Sequence, residues 1–228
     1  MSSQIHQRTP DYFGDDEDVL DIQCRPALPV DMPQVALLAA GLLEKVFGPM
    51  VGASSRNAPD ILLAALQSRL RHDCTWVMHE GLTIVGMIDL ETAETRRLNG
   101  PSLPRVLAGA TDLTEKIRDA GLLPLLMHEP DSFEAHQSLV ALLPGSRGEG
   151  RGTLLLMHGA FWSKAQGKDW ITTWLRADDP VRSVYERRGY IVQDEITSNV
   201  AQGNVKWVLL RRPISAKALR TGASRRQA

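Results

Sequence analysis

Residues 147–152, Arg-Gly-Glu-Gly-Arg-Gly, constrain this chain more than any other stretch. They follow the apolar run 138–143 and precede an apolar-periodic run from Thr153 to Ala165, which reads as strand, glycine-rich turn, helix. Glycines at 148, 150 and 152 let backbone N–H groups converge on one point, because no Cβ stands in the way. The helix beyond adds four N–H groups without intrahelical acceptors and the positive end of its dipole. The combination predicts an anion site, most often one for phosphate.

Spacing narrows the ligand. A nucleoside-triphosphate loop needs G-x-x-x-x-G-K-[ST]. Gly145 and Gly150 have that separation, but Arg151 and Gly152 stand where Lys and a hydroxyl are required. A dinucleotide fold needs G-x-G-x-x-G near the first strand and an acid about twenty residues later. Here the glycines alternate and lie in the C-terminal half, so neither motif fits.

The pattern R/Q-x-x-G-x-G/A does fit, with Arg147, Gly150 and Gly152 at its fixed positions. It resembles the pyrophosphate loop of the Gcn5-related N-acetyltransferase (GNAT) superfamily. The flanks resemble that family too. Leu142-Leu143-Pro144 is similar to the V-x-P closing its fourth strand, and Tyr185-Glu-Arg-Arg-Gly189-Tyr190 to the Y-E-[KR]-x-G-F closing its last helix. Segment 25–31 resembles its opening strand and helix cap, and 85–88 its third strand, so the likeness runs from about residue 22 to about 210.

This resemblance implies an α/β architecture, the acyl-CoA N-acyltransferase fold. Its mixed central sheet has about seven strands, splayed between strands four and five and flanked by helices. The expected domain is 21–212, between an acidic lead (1–20) and a basic tail (213–228), both expected to lack order. Residues 91–134 intervene where family members pass almost directly from strand three to strand four. Helical patterns broken by prolines at 101, 104, 124 and 130 mark a helical insertion there, a specificity element, a cover or a homodimer contact. Upstream, Asp31 is expected to cap a helix that Phe47-Gly48-Pro49 ends, and Pro59 to open a second helix.

Composition excludes several classes. Hydrophobic residues at 43% and charged residues at 23% suit a soluble globular chain, and no apolar run reaches the ~18–20 residues that span a bilayer. The polar stretch 1–10 lacks the apolar centre of a signal peptide, so a cytoplasmic location is expected. Two cysteines, Cys24 and Cys74, are expected reduced. Six histidines show neither H-E-x-x-H nor any other ligand spacing, so no metal site is expected. The tail's arginines lack interleaved aromatics, and nucleic acid is not an expected partner.

By resemblance the co-substrate is acetyl-CoA and the acceptor a primary amine on a small molecule or peptide. The implied cofactor contacts are Leu142, Leu143, Arg147, Gly148, Glu149, Gly150, Arg151, Gly152, Thr153, Asp178 and Tyr185. A main-chain N–H near Leu142 would face the thioester oxygen. One of Arg147 and Arg151 would meet a phosphate, while Glu149 should face solvent. Asp178 stands where the family often has an Asn holding the pantetheine arm, and an ionised Asp cannot donate.

Tyr185 matches the family's general acid toward the leaving thiolate. A phenol (pKa ~10) is protonated at neutral pH and close enough to a thiol (~8.5) to donate. The competing reading is a core aromatic with its hydroxyl on a backbone carbonyl. Glu134 and His136, at the start of the fourth strand, are the candidates for taking the amine's proton, with Glu91 a third. Polar residues at strand starts are more often simply solvated. A coenzyme A-binding module without catalysis is the alternative function.

Overall fold

The computed structural model describes residues 22–51, 70–98, 128–200 and 203–215. The acidic lead, the helix expected from Pro59, most of the insertion and the basic tail beyond residue 215 lie outside the described residues.

One seven-stranded sheet organises the rest. Strand β1 (Ile22–Pro26) leads into a 3-10 turn (Pro29–Asp31) and helix α1 (Met32–Val51). Strands β2 (Thr75–Glu80) and β3 (Thr83–Thr92) form a hairpin, and a short helix α2 (Ala93–Leu98) follows. Strand β4 (Glu134–Leu142) precedes helix α3 (Arg151–Ala165), strand β5 (Trp170–Arg176) and helix α4 (Arg182–Arg187). The hairpin β6 (Ile191–Val200) and β7 (Gly203–Pro213) closes the domain. The order is β1-β2-β3-β4-β5-β7-β6, antiparallel except for β4–β5.

Alternation along the strands divides the core between the two faces of the sheet. Met87, Val77 and Ala141 meet Val35, Ala36 and Ala39 of α1 on one side. Ile88, Leu90 and Met78 meet Leu155 and Leu156 of α3, with Ile171, Val208 and Leu210, on the other. β3 is buried from Ile84 to Thr92, as a strand covered on both faces must be.

Local details differ from the sequence expectations in three places. Asp31 does not cap α1 from outside: it lies in the 3-10 turn, accepts the Leu28 N–H (2.7 Å) and pairs with Arg25 (2.6 Å). That ion pair with β1 outweighs a simple cap and holds the carboxyl below the usual carboxylate range. Helix α1 runs through Gly48 and Pro49 to Val51, so Pro49 falls in its last turn and the helix ends two residues beyond it. Finally, β4 begins at Glu134, four residues before the apolar run, so Glu134 and His136 are strand residues within the sheet.

Candidate functional site

The β4–β5 pair is where the sheet opens. Its ladder covers only Glu134↔Trp170, Ala135↔Ile171 and His136↔Thr172. Beyond it β4 continues to Leu142, pairing with β3 alone in register, while the Thr173 hydroxyl reaches the Gln137 carbonyl (3.0 Å) across the widening gap. Leu143 donates its N–H to Val85 O (2.9 Å) on the β3 side. Strand alternation therefore turns the neighbouring Leu142 N–H toward the gap, where an acceptor oxygen would find it.

The loop after β4 has the backbone its glycines predict. Gly148, Glu149 and Gly150 carry φ of 97°, 50° and 74°, three consecutive left-handed residues. Gly150 is the N-cap of α3; Leu154 N–H returns to Gly150 O (3.0 Å) and Arg151 N–H to Gly148 O (3.1 Å). Gly152 and Thr153 sit in the first helical turn, where N–H groups lack intrahelical acceptors. Successive left-handed residues and a helix N-terminus give this loop the backbone geometry of known anion-binding concavities.

Charged side chains around this loop divide in a way its sequence does not reveal. Arg147 is exposed and lines the cavity below. Arg151 is buried and reaches back to Glu80 of β2 (3.2 Å) and to Glu149 (3.2 Å). Glu149, 70% exposed, lies at the rim of the same cavity, paired with Arg151. Two cations were not singled out from sequence: Arg187 lines the cavity, and Arg188 donates to the Thr153 hydroxyl (3.4 Å). Both lie in the Tyr-Glu-Arg-Arg-Gly-Tyr motif, which was the available signal.

A cavity of about 1220 Å³ runs from this loop along the gap. That exceeds the roughly 300–1,000 Å³ of ordinary small-molecule pockets and suits an extended ligand beside a second one. Leu142, Leu143, Gly148, Gly150, Gly152, Thr153 and Tyr185 form its loop half. Tyr185 is buried on α4, edge-on to Tyr190 with centroids 5.1 Å apart. Burial pushes its phenol well above the ordinary value, with Tyr190 and Asp179 adding to the effect and the Thr173 hydroxyl opposing it. Asp179 caps the turn into α4 by accepting the Val181 N–H (2.9 Å). Asp178 turns to solvent, 67% exposed, paired with Arg176 (2.7 Å), which keeps its carboxyl ionised.

The opposite end of the cavity gathers Glu91, Arg96, His128 and His136. Glu91 is paired in register with His136 across β3–β4 and bonds Arg96 (2.5 Å). The solvated alternative for Glu134 and His136 does not hold, since both are buried. His136 Nδ1 lies 2.9 Å from the Thr172 hydroxyl, which donates to Glu134 Oε1; His128 Nε2 lies 2.7 Å from that same oxygen. The two imidazoles lie 4.2 Å apart, and Trp174 stands edge-on to His128 (6.4 Å). His128 and Thr172 were not picked out from sequence, because Thr172 joins His136 only through the β4–β5 register and His128 joins Glu134 from the segment before β4.

No helix among the described residues is long and apolar enough to cross a membrane. Comparison of the sequence finds no matching family model and no matching curated protein. Solved structures do match. An acetyltransferase aligns over 85% of this chain and 100% of its own at 20% identity (TM-score 0.58). A protein assigned to the GNAT family from Desulfovibrio desulfuricans covers 85% and 99% at 14% identity (TM-score 0.53). The NatC complex, solved with Gag peptide and CoA, covers 85% and 99% at 12% identity (TM-score 0.51). At these identities the likeness speaks for the fold: the chain has the acyl-CoA N-acyltransferase fold of the GNAT superfamily.

Proposed function

We propose that this protein is an N-acetyltransferase that moves an acetyl group from acetyl-CoA to a primary amine by direct attack in a ternary complex. The observation carrying this reading is the continuity of one cavity from the left-handed glycine loop, along the β4–β5 gap, to the polar cluster at its far end. A pyrophosphate belongs at the loop, where the N–H groups of Gly150, Gly152 and Thr153 and the side chain of Arg147 can meet it. Arg151 contributes its backbone position and holds the loop to β2 through Glu80.

With the cofactor so placed, the thioester lies beside Leu142 and Tyr185. The amine nitrogen attacks the carbonyl carbon, and charge developing on oxygen meets the Leu142 N–H. The C–S bond then breaks and the thiolate takes the Tyr185 phenolic proton. Burial weakens the phenol as an acid, yet the same apolar surroundings raise the thiolate's affinity for a proton. The proton lost by the ammonium leaves through water along the wall that Glu91 and His136 form, with Glu134 behind it, and a proton from solvent restores Tyr185.

Thermal melts and thiol release test the reading. Acetyl-CoA should raise the melting temperature. Gly150→Asp should remove that rise, because a carboxylate faces the phosphates and a non-glycine residue is strained at φ 74°. Tyr185→Phe should keep the rise and lower turnover about 100-fold or more. A wild-type melt indifferent to millimolar acetyl-CoA would refute cofactor binding. Binding without thiol release across a broad amine panel would instead indicate the non-catalytic module.

A further inference from the structure

We propose that His128, Glu134 and His136 form a binding site for a divalent transition-metal ion of the zinc type, with its open coordination position facing the cavity. Each residue offers one ligand atom, and these atoms all lie within 4.8 Å of one another. A tetrahedral ion bound at ~2.0–2.2 Å needs its ligands about 3.3–3.5 Å apart, which small side-chain rotations reach from here. The spacing is compact, His-x5-Glu-x-His, and it is absent from the usual sequence motifs because β4 rather than a helix or knuckle aligns the last two ligands. Residues i and i+2 of a strand present the same face, so Glu134 and His136 project together.

The surroundings match what a ligand set requires. The Thr172 hydroxyl spends its hydrogen on Glu134 Oε1, so its oxygen can only accept from His136 Nδ1, 2.9 Å away. That places a hydrogen on His136 Nδ1, so in a neutral ring Nε2 is the nitrogen that can ligate, and one threonine braces two of the three ligands. Histidines that bind metal characteristically donate their other ring N–H in this manner. His128 Nε2 faces the same carboxylate, with side-chain exposures of 15% for His128 and 7% for Glu134. Packing two imidazoles 4.2 Å apart around one buried carboxylate suits a shared cation better than it suits three separate polar groups.

Donor chemistry names the class of ion. Two imidazole nitrogens and one carboxylate favour zinc and its first-row neighbours over calcium or magnesium, which prefer all-oxygen shells. Three protein ligands leave one position for water or substrate, as at hydrolytic and Lewis-acid centres. His128 and His136 both line the cavity, so that position opens toward it, while Glu134 lies behind. The inference stands on these three side chains and not on the acetyltransferase reading.

The test uses the full chain, stripped with chelator and titrated with Zn2+ by calorimetry and Co2+ by visible absorption. The wild type should bind about one Zn2+ per chain and show the intense ligand-field bands of a low-symmetry Co2+ site. Thr172→Val should weaken binding about 10–100-fold. His128→Ala should abolish the Co2+ bands; at the partly exposed edge of the cluster it is the variant least disruptive to the sheet, and circular dichroism checks its fold. No binding by wild type, or Zn2+ binding that survives His128→Ala undiminished, overturns the proposal. The acetyl-CoA melt run on the same stripped samples keeps the two readings apart, since either can fail while the other holds.

Discussion

At the scale of the residue, position in the fold separates side chains that look equivalent in sequence. Arg147 and Arg151 flank the same glycine loop, yet the first lines the cavity and the second is turned inward onto Glu80. The helix explains this: Arg151 opens α3, and a side chain there leans back over the preceding strand layer. Tyr185 belongs to the core and lines the cavity at once. Its burial, like that of Tyr190, raises the phenol pKa, Tyr190 being opposed mainly by Arg212. The sign of the pH effect follows. Below the unfolded value of ~10 both states keep the proton, and the fold's preference for neutral phenols is fully present. Above it the unfolded chain releases protons that the folded chain retains, so stability declines as pH rises. Tyrosinate absorbance and circular dichroism followed together from about pH 8 to 13 should show Tyr185 and Tyr190 ionising only as the fold is lost. Tyr12, outside the described residues, is the remaining tyrosine of the three. Ionisation of all three near pH ~10 with the fold intact would contradict this placement.

At the scale of the element, α3 must lie close on the sheet for its N-terminus to present the loop to the gap. Gly159 makes that approach, because a Cβ there would come within 2.7 Å of Ile88 Cδ1 and 3.0 Å of Gln137 Nε2. Ile88 and Gln137 are fully buried, so neither can yield cheaply. Gly159→Val should therefore destabilise the protein by about 1–3 kcal/mol, read from urea unfolding, by overpacking this contact. An unchanged midpoint would mean that α3 can slide on the sheet. The loop itself was legible in sequence because its requirement is local: left-handed φ at positions 148 and 150 needs glycine wherever the rest of the chain goes. Element ends were less legible. β4 gains three polar residues at its start because β3 and β5 supply partners on both sides, and pairing rather than propensity decides.

At the scale of the whole molecule, the sheet is two antiparallel blocks joined by three parallel rungs, and the cavity opens where those rungs stop. The fold was legible because its strand, turn and helix signals recur in the right order. The polar cluster was not, because no local pattern links His128 to Thr172; the register Glu91↔His136 and His136↔Thr172 brings the strand residues together, and His128 folds onto Glu134 from the segment before β4. A ligand lying in the gap would replace missing rungs and tie the blocks together. If acetyl-CoA is that ligand, about 100 times its dissociation constant should stabilise by about 2.7 kcal/mol, or on the order of 5–10 °C for a domain of this size. The more telling measurement is where that stabilisation falls. Amide exchange should slow at 140–143, across the loop and first turn of α3, and in α4. The β1–β2 edge and the far end of the β6–β7 hairpin should exchange at unchanged rates, since neither borders the cavity. Uniform slowing over all strands would mean that the cofactor acts through global stability alone, and protection confined to the loop would mean that it never enters the gap.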